Sequence, residues 1–185
     1  QNIAFEHNSF GVITNTASIR STMRTGYKGE LQFLVKDTTL TEAMRITSAG
    51  NVGIGTDSPS SYFSGADNLV VKQASGGGGI SIVTDTSSEG SLYFADGTAG
   101  GEQYRGGVVY NHNVEKLFLI SGGATKATIE SGGNVGIGTD NPSAKLNISG
   151  TGTGGAIDWT NTTATTGRSY RWVSLNTGGF AIEDL

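Results

Sequence analysis

Residues 50–60 read GNVGIGTDSPS, and residues 133–143 read GNVGIGTDNPS. One position in eleven differs, and 83 residues separate Asn51 from Asn134. Chance does not produce this, so the chain is built on an internal repeat. Beyond the motif the similarity continues at a shorter spacing. Leu69, Ile80, Gly90 and Tyr93 fall 77 residues before Leu146, Ile157, Gly167 and Tyr170. The first copy therefore carries six extra residues between Pro59 and Leu69. They sit in SSYFSGADN (60–68), which reads as an enlarged surface loop, a cheap place to insert chain. This framing predicts three modules: 1–58, incomplete at its N-terminus; 59–141; and 142–185, cut short at its C-terminus. Gln1 in place of Met, and a chain ending in mid-pattern, lead us to expect that the natural protein continues into a further copy of the motif.

The motif itself describes a β-hairpin. In AMRITSAGNVGIGT (43–56), Met44 and Ile46 alternate with Arg45 and Thr47, and a turn follows at SAGN (48–51). Val52 and Ile54 then share one strand face, and Gly53 and Gly55 the other. Gly50 and Asn51 are suited to the positive φ of a tight turn. Gly133, Asn134, Val135, Gly136, Ile137 and Gly138 repeat the pattern. Two glycines on one strand face are costly unless another backbone approaches there, and an identical neighbouring chain would supply one. Thr56-Asp57-Ser58-Pro59 breaks the strand, because the residue before a proline is held extended.

The rest of the chain reads as short strands. LQFLVK (31–36), LVVK (69–72), ISIVT (80–84), SLYFA (91–95), GVVY (107–110), KLFLIS (116–121), AIDWT (156–160) and SYRWVS (169–174) are β-branched or aromatic and bounded by Gly, Asn, Asp or Ser. TLTEAMRI (39–46) contains a capping-box pattern, Thr39 with Glu42. It is too short for a stable helix before Gly50, and its counterpart ATIE (127–130) reads as strand. The predicted class is all-β: repetitive hairpin modules in an elongated, interlocked homotrimeric fibre. A monomeric β-solenoid is the alternative, although an 83-residue period far exceeds one solenoid coil. Strand edges left unpaired in one chain favour association.

Composition narrows the function. Gly fills 30 of 185 positions and Pro two, which excludes collagen. A net charge of −4 with no Lys/Arg cluster argues against nucleic acid. No apolar run approaches the ~20 residues of a membrane span, and no stretch of this sequence reads as a signal peptide. Cysteine is absent, so stability must come from something other than disulfides, and oligomerisation is the obvious source.

The string SGGNVGIGTDNPSAKL (131–146) resembles the signature repeat of phage tail-fibre and side-fibre proteins. Residues 90–139 are similar over their whole length to modules recurring in such fibres, and AMRITSAGNVGIGT resembles the end of another. The resemblance covers most of 28–185. It implies a homotrimer joined to other virion tail proteins, outside the cell, spacing a host receptor-binding tip from the particle. Many such fibres end in an intramolecular chaperone that cleaves itself off; nothing here resembles that chaperone or a tip. The expected product is a non-enzymatic shaft without a cofactor or metal.

Other features compete with plainer structural readings. GIG (53–55) matches part of a dinucleotide-binding loop but lacks the third glycine and the helix. With no cysteine, a zinc site would need both His7 and His112 plus carboxylates, and an ordinary surface histidine is the favoured reading, with His112 in a polar turn. The loop ADGTAGGE (95–102) lacks the alternating ligands of a calcium loop. Asp85, Glu89, Asp96 and Asp158 offer carboxylates for glycoside hydrolysis, with no pair marked out. Trp159, Tyr170 and Trp172 read as core. Tyr62 and Phe63, in the enlarged loop, are candidate contacts to host cell-surface polysaccharide, with packing as the equal alternative. The sequons at Asn147 and Asn161 are expected by chance in an Asn- and Thr-rich chain.

Overall fold

A computed structural model describes residues 2–9, 12–24, 28–150, 157–159, 170–174 and 180–184, with side chains described for Ile3, 16–22, 28–150 and Ile157. The described residues form an all-β chain. The first sheet runs in chain order through β1 (Asn2–Ser9), β2 (Val12–Arg24), β3 (Lys28–Lys36), β4 (Leu40–Ile46), β5 (Val52–Ile54) and β6 (Leu69–Val71). The second comprises β7 (Glu89–Phe94), β8 (Gly106–Asn111), β9 (Lys116–Ser121), β10 (Ala124–Glu130), β11 (Val135–Ile137) and β12 (Leu146–Ile148), again in sequential order. A third sheet pairs β13 (Ile157–Trp159), β14 (Tyr170–Ser174) and β15 (Phe180–Asp184) antiparallel. Helical turns are limited to two 3-10 segments among the described residues, Pro59–Ser61 and Gly100–Tyr104.

The first two sheets match strand for strand. In each, five strands form an antiparallel meander and the sixth joins parallel to the fifth. Register is shared as well. One cross-strand row of the first sheet reads Ile3, Ile19, Phe33, Met44, Ile54, Val71. Its counterpart in the second reads Leu92, Val108, Leu119, Ala127, Ile137, Ile148. The likeness thus extends across β1–β4 and β7–β10, where residue identity had largely faded. Alternation alone carries it there, since a one-residue slip would invert every face.

Most expected strands are present, TLTEAMRI among them as β4. ISIVT is not. Residues 80–84 form no strand and are exposed throughout. A strand exists only through its ladder, and β7 pairs with β8 alone. The counterpart at Ile157–Trp159 does find a partner, in β14.

The chain divides into two compact units, Gln1–Ser81 and Ile82–Leu185. The Ser58/Pro59 step, where the repeat was framed, lies inside the first sheet, because β6 returns to pair with β5. Repeat frame and compact unit are out of phase by one strand.

Candidate functional site

Both motif copies build the same device. The turn closes with Gly50 N donating to Thr47 O at 2.9 Å and Gly133 N to Glu130 O at 2.8 Å, the glycines at φ +89° and +76°. The second strand then pairs back, Ile46 with Val52 and Ile129 with Val135. To add a parallel strand, the chain must next travel back along the sheet. The strands are three residues long, about 10 Å, so the crossover is short: residues 55–68 in the first copy and 138–145 in the second. The six-residue difference is the enlarged loop. So short a crossover runs directly over the sheet face.

That path explains the glycines. A Cβ on Gly53 would stand 2.5 Å from the Thr56 carbonyl oxygen and 3.3 Å from Pro59 Cδ; a Cβ on Gly136 would overlap the Thr139 carbonyl. On Gly55 and Gly138 it would overlap the carbonyls of Lys72 and Ser149. The backbone that approaches is therefore the chain's own crossover and the end of its own parallel strand, not the identical neighbouring chain expected from sequence. Asn51 and Asn134 tie turn to crossover, Asn51 Nδ2 donating to Ser60 Oγ at 3.2 Å and Asn134 Nδ2 to Pro142 O at 3.4 Å.

The crossover covers one face of each sheet at the motif, and its prolines, Pro59 and Pro142, are buried. On this face lie Ser18, Gln32, Leu34 and Arg45 in the first sheet, and Val109 and Thr128 in the second, all buried. Arg45 is 4% exposed. Its Nε and Nη2 each donate to Glu42 at 2.6 Å, and its Nη1 to Glu30 at 2.8 Å. The bonds it donates to Glu42 raise the guanidinium pKa above its ordinary value, against the opposing effect of burial. Thr128 holds the same lattice position in the second sheet, fully buried, with its Oγ1 lacking a hydrogen-bond partner. A charge pair is conserved in kind but moved nearby: Lys116 Nζ lies 3.2 Å from Glu130 and donates to Asp140 O at 2.6 Å.

The opposite faces are inverted relative to ordinary proteins. They carry the two rows given above and flanking rows such as Leu31, Ile46, Val52, Leu69 and Leu117, Ile129, Val135, Leu146. These rows contain no Asp, Glu, Lys or Arg. They are nonetheless the open faces: Ile54 is 40% exposed, Leu69 55%, Leu92 55%, Phe94 61% and Leu146 56%. Apart from the two prolines, Leu34 and Val109 are the buried apolar side chains among the described residues, and both belong to the covered face. An antiparallel sheet with one wet side normally turns its apolar side inward, and single chains rarely expose apolar patches of this extent.

The other candidates are scattered. GIG ends strand β5 in a bend, with no α-helix behind it. His112 packs edge-on to Tyr110, ring centroids 4.9 Å apart; the Tyr110 hydroxyl donates to Glu115 at 2.6 Å, which raises its pKa. Asp85 accepts bonds from Ser87 N, Ser87 Oγ and Ser88 Oγ, and these lower its pKa. Glu89 accepts from Asn111, Asp96 from Arg105, and Glu102 from Ala99 N within its own loop. No three His, Asp or Glu side chains gather to hold a metal among the described residues, and no described helix is long and apolar enough to cross a membrane. Tyr62 and Phe63 stand out from the enlarged loop, 45% and 80% exposed. The side chains of His7, Asp158, Trp159, Tyr170 and Trp172 lie outside those described, as does Asn161; in the backbone Trp159 pairs with Tyr170 and Ile157 with Trp172.

No family model matches the chain, and no curated protein matches it significantly. The apolar faces were the feature the sequence reading underused: the alternation marked them, but nothing local showed that the glycine face, not the apolar one, would be covered.

Proposed function

We propose that this chain is a structural shaft segment of a phage tail or side fibre, assembled as a homotrimer and displaying a host receptor-binding tip. The observation that carries the reading is the pair of open, charge-free apolar faces. At roughly 25 cal/mol per Å², burying them is the largest stabilisation still available to the chain, and association supplies it. Tandem sheets of one topology suit a shaft, which lengthens by adding modules. The sequence resemblance points the same way. The reading assigns the chain no catalytic step and no cofactor.

Mass in solution tests it. Sedimentation of the whole chain is expected to give a trimer that persists on dilution, and electron microscopy to give a rod. Ile54→Lys with Leu119→Lys is expected to abolish the trimer. A folded monomer of the unaltered chain would overturn the proposal. A second reading, a carbohydrate-binding adhesin module, draws on the exposure of Tyr62 and Phe63. A glycan array probed with the assembled protein decides it: binding that disappears in Phe63→Ala supports it, and no binding rejects it.

A further inference from the structure

Asn141 is where the two motif copies part. It is the one position at which GNVGIGTDNPS differs from GNVGIGTDSPS, and Ser58 stands there in the first copy. The side chains facing it differ as well. In the second sheet Lys116 Nζ donates to Asn141 Oδ1 at 3.0 Å and lies 3.2 Å from Glu130 Oε1. The shared register puts Glu30 and Thr47 at the positions of Lys116 and Glu130 in the first sheet. Amine, carboxylate and amide thus stand together in the second sheet, and the first sheet keeps the same group at none of the three positions.

A primary amine held against a carboxamide, with a carboxylate alongside, is the set of groups that transamidation needs. Nζ is the nucleophile, and Asn141 Cγ, one bond beyond Oδ1, is the electrophile. An ammonium has no free electron pair, so a neighbouring group must first take a proton from it. Glu130 is in place to do so. The Lys116 and Glu130 side chains are only 18% and 24% exposed, which limits competition from water. Asp140 orients both reactants: its carbonyl accepts from Lys116 Nζ at 2.6 Å, and its Oδ1 accepts from Asn141 Nδ2 at 2.9 Å. Holding the two groups together is what opens an ordinarily unreactive amide to attack.

Pro142 closes the usual competing route. A reactive asparagine is ordinarily attacked at Cγ by the backbone nitrogen of the next residue, which gives a succinimide. Pro142 has no N–H, so that ring does not form, and Lys116 Nζ is the amine that the fold places in reach.

We propose that Lys116 and Asn141 join in an intramolecular isopeptide bond, with Glu130 carrying the protons. Glu130 takes one proton from the Lys116 ammonium, and the freed electron pair of Nζ forms the bond to Cγ. The Cγ–Nδ2 bond then breaks. Of the three protons on Nζ, one stays in the new amide, and Glu130 passes the other two in turn to Nδ2, which departs as ammonium. Charge and atoms balance without an oxidant or a co-reactant. Asn141 is exposed, so the leaving group has a way out. The bond ties the crossover to strand β9 across 25 residues of chain, a covalent staple in a chain without cysteine. Nothing in this chemistry depends on the fibre reading, since all four residues belong to one sheet and its crossover.

Tryptic peptide mapping of the folded whole chain tests it. The expected product is a branched peptide joining residues 106–126 to residues 127–145, uncleaved after Lys116. It should weigh one ammonia less than its two parts and carry two N-termini, which separates it from a single uncleaved peptide. Intact mass does not serve as the readout, because Gln1, where it is N-terminal, sheds the same ammonia on cyclising. Linear peptides with unmodified Lys116 and Asn141 from the folded chain would overturn the proposal, and so would a link from Lys116 to Glu130 or Asp140. Asn141→Ser installs the residue of the first copy, and Lys116→Arg keeps the cation without the amine; both should give linear peptides alone. Glu130→Gln, or Glu130→Thr as in the first copy if the glutamine variant fails to fold, should lower the branched yield by about tenfold or more at a fixed time after refolding. An undiminished yield in a folded Glu130 variant would overturn the proton-carrying role.

Discussion

Gly55 lies against Lys72 so closely that a Cβ on the glycine would overlap the lysine carbonyl oxygen. The contact is held by Lys72 N donating to Ile54 O at 2.9 Å, and the second copy repeats it with Gly138, Ser149 and Ile137. It is the point where the parallel strand locks onto the hairpin. Both glycines also sit at positive φ, +70° and +73°.

Gly55→Ala and Gly138→Ala are therefore expected to cost about 1–3 kcal/mol each, through strain and overlap together. Gly76 is the control. It has φ +79° but open space around its Cα, so Gly76→Ala should cost less, about 1 kcal/mol. Urea titrations of the three variants check the order, and equal losses would contradict it.

Arg45 and Thr128 share one lattice position on the covered face with opposite chemistry. Arg45→Ala removes a buried guanidinium from Glu30 and Glu42, and a loss of about 3–5 kcal/mol is expected. Thr128→Val removes a hydroxyl that was buried without a partner, and it should stabilise by about 1 kcal/mol. Thermal melts should move down for the first and up for the second.

Asp85 gives a pH-dependent signature. Its folded pKa is lowered by hydrogen bonds from Ser87 and Ser88. The turn's stabilisation is therefore complete above the ordinary aspartate pKa and is lost as pH falls through the depressed value. The carboxyl carbon resonance should titrate below that of an ordinary aspartate, and Ser87→Ala with Ser88→Ala should return it upward. An unmoved titration in that variant would refute the hydrogen-bond origin.

Removing 61–66 should leave the first sheet intact. The second copy makes the same crossover without these residues, and the Asn51–Ser60 bond is retained. A stability change within about 0.6 kcal/mol is expected by calorimetry, with the mass of the proposed trimer unchanged. Loss of assembly would show that the loop carrying Tyr62 and Phe63 belongs to the interface.

What the sequence determined by itself was local and periodic. The alternation from Met44 to Ile54 set the hairpin, the glycine before Asn51 set its turn, and the change of spacing from 83 to 77 located the loop between Pro59 and Leu69. These depend on neighbours in the chain, through side-chain alternation and allowed φ. Only the tertiary structure decided three things: that the backbone over Gly53 and Gly55 belongs to the same chain, that ISIVT lacks a ladder while Ile157–Trp159 has one, and that the apolar face is the open one. Each depends on where a distant segment lands. A crossover returning to pair Leu69 with Val52 buries Arg45 and Gln32 and leaves Ile54 and Leu69 uncovered, and no pattern within a single strand encodes which face it will cross.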